Sequence, residues 1–148
     1  MINELNKQDA GWAEKLWQIS ERSYLHGSPW SLEQFRQDIV QENSHYLTFM
    51  RENHWLGFIS YYQVLDELDI SHIVIDKDSQ QYGYGRQMLE EAINYWRKKE
   101  FVRLLLEVRE SNQGARTLYE KLGFQCIHKR KKYYHHPQED GWVMELIL

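Results

Sequence analysis

Two glycines constrain the fold most strongly, because they lie where a strand-like run is followed by a helical one. The apolar run ending at Ile75 is typical of a buried strand, and residues 83–99 place apolar side chains at helical spacing. Gly83 and Gly85 let the backbone turn tightly without a Cβ in the way. Successive N–H groups and the positive end of the helix dipole would then point at one spot, where a pyrophosphate can bind. Arg86, in the first helical turn, adds a positive charge that reaches the same anion.

The glycine pair alone does not distinguish a phosphate-binding loop from an ordinary structural turn. Two well-known phosphate loops are excluded. The chain lacks G-x-x-x-x-G-K-S/T, and the third glycine of the dinucleotide fingerprint would fall at Met88. A functional assignment therefore needs further residues.

The order of predicted elements indicates an α/β fold. In chain order the patterns predict a short strand over 2–5, helices over 11–22 and from Ser31, strands over 46–51, 55–64 and 68–75, a helix over 83–99, a strand over 101–108, a helix over 112–122, and strands over 124–128 and 142–148. Ser31 and Gln34 form a capping-box pattern, and Asn112 and Gly123 are typical of residues that begin and end a helix. We expect a single domain over residues 1–148, with a mixed, mostly antiparallel sheet of about seven strands and helices on both faces.

Composition and charge exclude several classes of protein. With 42% hydrophobic and 14% aromatic residues the chain is not disordered, and no run approaches the roughly 20 apolar residues of a membrane span. The net charge of -4 is unlike that of a protein that holds nucleic acid by its phosphates, and it suits a cationic partner. The basic run 129–132 is interpreted as the solvated face of an edge strand. With one cysteine, Cys126, and no leader-like start, we expect a cytoplasmic protein without direct nucleic-acid or membrane binding.

Two polar side chains on otherwise apolar elements are candidates for chemistry. Glu107 interrupts a leucine- and valine-rich strand, where a carboxylate is costly unless it is paired, near water or functional. It suits a general base for an ammonium substrate, but a pairing with Arg103 or Arg109 explains it equally well. Tyr119 lies on the apolar face of the helix over 112–122, and by itself it is typical of a core tyrosine with a hydrogen-bonded tip.

Taken together, these segments resemble the GNAT superfamily of N-acetyltransferases. Gln80-x-x-Gly83-x-Gly85 is similar to the family's coenzyme A loop, Q/R-x-x-G-x-G/A. The segments 106–112 and 118–124 resemble the closing half of the same core. Ser28-Pro29-Trp30-Ser31 and Tyr133-Tyr134 are similar to the branch that acetylates the N-terminal alanine of a small-subunit ribosomal protein.

The resemblance implies acetyl-CoA as co-substrate and no metal. It implies that Glu107 is the proton acceptor, that Tyr119 is the proton donor, and that the α-amine attacks the thioester directly in a ternary complex without a covalent acyl-enzyme. The coenzyme-binding residues that it implies are Ile73, Val74 and Ile75 along the acetyl-pantetheine arm, Gln81, Tyr82, Gly83, Tyr84, Gly85 and Arg86 at the pyrophosphate, and Asn112 near the thioester. The acceptor-binding residues that it implies are Trp30, Tyr133 and Tyr134.

One departure from the family and three alternatives accompany this interpretation. Family loops often carry arginines where this chain has Gln81 and Tyr82, so the backbone has to supply more of the pyrophosphate binding. The partner expected is a basic protein N-terminus, but the same core motifs would serve another protein N-terminus, a polyamine or an antibiotic. A non-catalytic coenzyme A-binding module is disfavoured because both Glu107 and Tyr119 are present. A metal site at His135-His136 is disfavoured because adjacent residues of an extended segment point to opposite sides.

Overall fold

A seven-stranded sheet runs through the computed structural model, which describes all residues 1–148. Its strands are β1 (Ile2–Glu4), β2 (Ser44–Arg51), β3 (His54–Val64), β4 (Glu67–Ile75), β5 (Arg103–Arg109), β6 (Gln125–Tyr134) and β7 (Glu139–Ile147). Its helices are α1 (Trp12–Ser23), α2 (Leu32–Ile39), α3 (Tyr84–Lys98) and α4 (Gln113–Lys121), with one 3₁₀ turn at Lys77–Ser79.

The sheet is mixed and almost entirely antiparallel. The strand order is β1-β2-β3-β4-β5-β7-β6, and only the central pair β4–β5 is parallel. A parallel pair needs a crossover connection, and α3 provides it. The prediction of a mixed, mostly antiparallel sheet with helices on both faces is confirmed.

Each face of the sheet carries its own apolar core, because side chains alternate between the faces along every strand. On one face α1 and α2 bury Leu16, Ile19 and Phe35 against Phe58 and Val74. The larger core on the other face lies under α3 and α4, and it includes Met88, Leu89, Trp96, Leu104, Leu106 and Tyr119. The central strands are therefore packed against α1 and α2 on one face and against α3 and α4 on the other.

The central parallel pair is short. Residues Glu67–Ile70 of β4 pair with residues Arg103–Leu106 of β5, and the two strands continue beyond this segment without pairing with each other. On its other side β4 shifts register against β3, where Ser60 lies opposite His72 and Tyr61 lies opposite Ile70, so that Ser71 is the extra residue of a β-bulge. Beyond the bulge, β4 stays paired with β3 and leaves its other edge open towards β5.

Helix caps match the sequence expectations. The Ser31 hydroxyl accepts from the Gln34 N–H, and the Gln34 side chain accepts from the Ser31 N–H, which completes the capping box of α2. The Asn112 side chain accepts from the Ala115 N–H at the start of α4. These bonds are local in sequence, which is why the pattern alone predicts them.

Strand β6 is longer than expected, since it continues to Tyr134 instead of ending at residue 128. Its pairing with β7, which reaches Tyr134 opposite Glu139, extends it through the basic run and both tyrosines. The whole strand is the outer edge of the sheet and is exposed up to Tyr133. The interpretation of the basic run as part of an edge strand agrees with this position.

A buried carboxylate ties α2 to the sheet. Asp38 is 3% exposed, and it accepts hydrogen bonds from the hydroxyls of Ser44, Tyr46 and Tyr62. Several donors around one buried carboxylate compensate for its lost hydration. The network fixes the end of α2 against β2 and β3.

His72 is a buried titratable group beside the bulge. It is 1% exposed, its Nδ1 lies 2.6 Å from the Ser60 Oγ, and its Nε2 has no hydrogen-bond partner. The rings of Trp30 and Phe35 lie against it, with centroid distances of 4.4 and 5.1 Å. Burial lowers the pKa of His72 to about 3, so the imidazole is neutral in the folded protein.

The buried His72 should make the folded state sensitive to mild acid. Because the folded pKa is depressed from 6.5 to about 3, the unfolded chain binds the extra proton, and stability is lost as the pH falls below 6.5. This single group should lower the free energy of unfolding by about 2 kcal/mol between pH 7 and pH 5. Urea denaturation at the two pH values should show that the pH-dependent loss in the free energy of unfolding is about 2 kcal/mol smaller in His72→Gln than in the wild-type protein. The exposed control His26→Gln should keep the wild-type difference, and an equal loss in all three proteins would contradict the assignment.

Candidate active site

The glycine turn presents unbonded backbone donors at the start of α3. Gly83 has a φ of 80°, in the left-handed region, and it is the N-cap of α3 without a side-chain capping bond. A Cβ there would meet no atom within 4 Å, so backbone conformation rather than space requires glycine. The N–H groups of residues 81–86 donate to no carbonyl or side chain of the protein. Together with the helix dipole they form a site for an anion.

The base of this turn is fixed by side chains from two directions. The Gln80 Nε2 donates to the carbonyls of Ile75, at 2.9 Å, and of Ser23, at 3.1 Å. Arg22, in the last turn of α1, holds Asp76 through two hydrogen bonds of 2.7 and 3.0 Å. The hydrogen bond from Arg22 lowers the pKa of the Asp76 carboxyl, so this contact persists at neutral pH. The turn is anchored to α1 and β4 while its amides stay open.

Two guanidinium groups lie near the turn. Arg86 forms an ion pair with Glu90 at 2.7 Å, and both side chains are about half exposed. Arg51, from β2, lies over the Tyr84 ring with its guanidinium carbon 5.5 Å from the ring centroid. Sequence reasoning found Arg86 but missed Arg51, because nothing local to residue 51 shows that β2 ends beside α3. Gln81 and Tyr82 are exposed and add no charge.

The open edge of β4 supplies a second set of backbone donors. The Asp76 N–H donates to the Leu56 carbonyl of β3 at 2.7 Å. In an antiparallel pair, alternate residues point their N–H groups to the partner, so Val74 also faces β3. The N–H groups of Ile73 and Ile75 therefore point away from β3, towards β5. Of the three residues predicted to bind the arm, Ile73 and Ile75 thus present their amides to the opening, and Val74 presents its amide to β3.

Glu107 lies on β5 just beyond the point where the parallel pairing ends. Its side chain is 30% exposed, and its Oε1 is 3.5 Å from a terminal nitrogen of Arg130. The two pairings considered from the sequence are wrong, since Arg103 bonds to Glu67 and Glu145, and Arg109 bonds to Glu139. The cation beside Glu107 comes from β6, two strands away.

Four tyrosines lie close to Glu107 or to one another, and each has a raised pKa. Hydrogen bonding with Glu107 is the main cause of the raised pKa of Tyr133. Burial and then the Glu107 charge raise the pKa of Tyr134 to about 12. Burial raises the pKa of Tyr119, which is 8% exposed, and Tyr134 adds to that effect. Burial and then Tyr119 raise the pKa of Tyr24, and a hydrogen bond that the Tyr24 oxygen accepts from the Ile73 N–H partly offsets this rise. All four phenols are therefore protonated near neutral pH.

Tyr24 is a site residue that the sequence reasoning missed. It directly follows α1, and its hydroxyl reaches the backbone of Ile73 on the open edge of β4. A signal was present, since Tyr24 stands between the helical stripe of α1 and the segment Ser28-Pro29-Trp30. That proximity in sequence did not reveal that its hydroxyl points towards the sheet.

Gly141 allows the tyrosine pair to lie against β7. A Cβ at this position would come within 3.0 Å of the Tyr134 ring and 3.1 Å of the Tyr133 ring. Arg109 lies over the Tyr134 ring at 4.5 Å, and the two tyrosine rings meet edge to face at 5.1 Å. Both predicted acceptor-side tyrosines are thereby held near Glu107.

The other two predicted residues have partly structural roles. Trp30 packs edge to face on His72 in the smaller core and is only partly exposed. The Asn112 Oδ1 caps α4, so its side-chain NH₂ is the part left for a ligand. Neither residue is in contact with Glu107 through a hydrogen bond or ion pair.

The residues present fit coenzyme A. The free amides of residues 81–86 suit a pyrophosphate. The β4 edge suits the amide-bearing arm that follows it, because the Ile75 N–H points towards β5 and the Ile73 N–H is engaged only by the Tyr24 hydroxyl. An open hollow of about 500 Å³ around His45 and Lys98, at the far end of α3, contains none of the predicted site residues. No group of three or more His, Cys, Asp or Glu side chains is placed to hold a metal ion. None of the helices combines the length and apolar character needed to cross a membrane.

Comparisons with known proteins agree with this geometry. A sequence model of the acetyltransferase (GNAT) family matches residues 11–124. The [Ribosomal protein bS18]-alanine N-acetyltransferase of Salmonella typhimurium is 37% identical over 136 residues, covering 89% of this chain and 88% of that protein. The Haemophilus influenzae protein of the same name is 36% identical, covering 91% of this chain and 92% of that protein. The crystal structure of the ribosomal-protein-S18-alanine N-acetyltransferase from Escherichia coli superposes with a TM-score of 0.86 at 30% identity, covering 99% of this chain and 94% of that one.

GNAT-family acetyltransferases use acetyl-CoA, for which the free amides of the glycine turn and of β4 provide matching donors. The family match spans most of the chain, and relatives above 30% identity cover most of both sequences. The chain therefore belongs to the acetyltransferase (GNAT) family and is an N-acetyltransferase that resembles the bacterial ribosomal-protein-alanine N-acetyltransferases.

Proposed function

We propose that this single-domain protein, working in the cytoplasm, transfers the acetyl group of acetyl-CoA to the α-amino group of the N-terminal alanine of ribosomal protein bS18. The observation that carries the proposal is the position of Glu107 just beyond the end of the β4–β5 pairing, with the β4 amides that point away from β3 on the facing edge. Relatives that cover most of the chain at 36% and 37% identity are named for this acceptor.

In the proposed complex the coenzyme lies along the open backbone donors. The amides of residues 81–86 hold the pyrophosphate, with Arg86 exchanging Glu90 for a phosphate oxygen. The amides of Ile73 and Ile75 hold the arm, and the Asn112 side chain adds a contact near the thioester. Backbone donors do not depend on side-chain charge, so neutral Gln81 and Tyr82 do not abolish the site.

The acceptor side is suited to a cation. Glu107 and Asp69 face the same space from adjacent strands, and the pKa of Asp69 is raised by desolvation and then by the Glu107 charge. Two neighbouring carboxylates attract an ammonium group and favour its binding over that of a neutral or anionic acceptor. The hydroxyls of Tyr133 and Tyr134 border this space: Tyr133 donates to Glu107, and Tyr134 supplies a donor for a peptide carbonyl of the acceptor.

The chemistry then needs one proton acceptor and one donor. Glu107 takes a proton from the α-ammonium, directly or through a water, and the neutral amine attacks the carbonyl carbon of the thioester. The developing oxyanion accepts a hydrogen bond from the Ile73 or Ile75 N–H, and the carbon–sulfur bond then breaks. Tyr119 donates a hydrogen bond to the leaving sulfur. Because burial raises the pKa of Tyr119, stabilising the thiolate is an easier role for it than complete proton transfer.

The acceptor can be identified with purified enzyme and acetyl-CoA. A peptide carrying the first residues of bS18 from the same organism should gain one acetyl group at its α-amine, located by tandem mass spectrometry. The same peptide with a blocked N-terminus tests whether lysine side chains react, and spermidine tests a polyamine acceptor. Reaction with spermidine but not with the free N-terminus would contradict the proposal.

Glu107→Gln should reduce kcat/KM by about 10²- to 10⁴-fold near pH 6, because Gln cannot accept the proton. The α-amine has a pKa of about 8, so at pH 9 most of it is already neutral and the defect should shrink. Acceptor kinetics measured from pH 6 to pH 9 check this. The matched control is Glu67→Gln, which removes a carboxylate at the start of β4 that pairs with Arg103 at the start of β5. A ratio of wild-type to variant rates that does not change with pH would exclude Glu107 as the base.

Tyr119→Phe should lower kcat by about 10- to 100-fold, the effect of removing a hydrogen bond to a developing charge. The ring and its packing on Phe124 are retained, so the dissociation constant for coenzyme A should stay near the wild-type value. Single-turnover rates and calorimetric titration with coenzyme A separate the two effects. Tyr95→Phe on α3 is the control, and an undiminished kcat in Tyr119→Phe would remove Tyr119 from the mechanism.

A further inference from the structure

Arg130 is the one cation in contact with the proposed proton acceptor. Its terminal nitrogen lies 3.5 Å from the Glu107 Oε1, and the two side chains are 48% and 30% exposed. The same guanidinium lies over the Tyr133 ring at 5.1 Å, which holds it beside the carboxylate. An internal cation therefore sits next to the group that must receive the ammonium of the acceptor.

The path of the Arg130 side chain depends on the sheet register. Arg130 on β6 pairs with Gly141 on β7, and Gly141 pairs with Arg109 on β5. Glu107 is two residues before Arg109 and pairs with Val143. Arg130 and Glu107 therefore lie on the same face of the sheet, two residues apart in register across β7, which lets their side chains meet.

The contact is looser than the other arginine pairs of the sheet. Arg103 approaches Glu145 to 2.5 Å, and Arg109 approaches Glu139 to 3.0 Å. Arg130 forms no second ion pair, although its charge also acts on Asp69, and half-exposed ion pairs contribute little to stability. The groups close to Glu107 include Asp69 from β4 and Arg130, Tyr133 and Tyr134 from β6, and Arg130 is the cation that forms an ion pair with it.

We infer that Arg130 occupies the place of the acceptor ammonium beside Glu107 when no acceptor is bound, and that the acceptor must displace it. This inference rests on the proposed function, in which Glu107 receives the ammonium. Arg130 acts as an internal competitor. It raises the concentration of acceptor needed for half-maximal rate, and it disfavours weakly held amines that cannot displace it. Its effect should therefore appear in the KM for the acceptor and not in coenzyme binding.

Arg130→Gln should lower the acceptor KM by about two- to fivefold, the range expected when a half-exposed ion pair no longer competes. The KM for acetyl-CoA should stay unchanged, because the coenzyme amides lie on the other side of the opening. Arg130→Lys keeps the charge and should stay near the wild-type acceptor KM. Lys131→Gln removes the same charge from the next residue of the exposed edge strand, and it is the matched control for net charge. An acceptor KM that rises or stays the same in Arg130→Gln would overturn the inference.

A double variant separates this inference from the proposed function. If Arg130 acts through Glu107, adding Arg130→Gln to Glu107→Gln should leave the acceptor KM of Glu107→Gln unchanged. A twofold or larger decrease in that background would show that Arg130 acts elsewhere and would overturn the inference alone. Full activity of Glu107→Gln would instead contradict the role of Glu107 as the base in the proposed function, and failure to acetylate the bS18 peptide would contradict the proposed acceptor, whatever the Arg130 variants do.

Discussion

The early end of the β4–β5 pairing is the constraint on which the site depends. Two parallel strands at the centre of a sheet would ordinarily satisfy each other's backbone groups along their whole length. Here the pairing stops at Ile70 and Leu106, and the bulge at Ser71 keeps β4 attached to β3 instead. The β4 amides, the Glu107 carboxylate and the tyrosine hydroxyls of the site then face the same opening between the strands. The cores on both faces of the sheet hold the strands in place around it.

The charged groups of the site fall into two local sets. In the proposed complex, Asp69 and Glu107 attract the ammonium of the acceptor, and Arg130, by the inference above, competes with it. On the coenzyme side the proposal relies mainly on backbone dipoles, and Arg86 and Arg51 are the cations that lie near the glycine turn. Each ligand of the proposed complex thus has complementary groups close to its place in the site.

Two buried polar residues, His72 and Asp38, help to fix the position of β4 and α2 beside this opening. His72 is uncharged and lies among aromatic rings, and Asp38 is surrounded by hydroxyl donors. Both polar residues are fixed by partners on neighbouring elements, which limits how far β4 and α2 can shift. A rigid β4 matters because its amides can stabilise a transition state only if they are already in place.

The sequence by itself determined whatever depends on neighbours along the chain. Element order, the caps at Ser31 and Asn112 and the turn at Gly83 follow from short-range patterns, because hydrophobic period, capping and turn conformation are local properties. Glu107 and Tyr119 stand out locally only as polar side chains on apolar elements, and the family resemblance gave them their proposed roles. The tertiary structure alone decided which distant residues meet. Arg130 meets Glu107 through the register of β5, β7 and β6, and the outward-facing β4 amides depend on the register of β3 and β4. Arg51 beside the glycine turn and Tyr24 on the Ile73 backbone depend on how α3 and α1 pack on the sheet. Register and packing are both set by contacts between segments that are far apart in sequence.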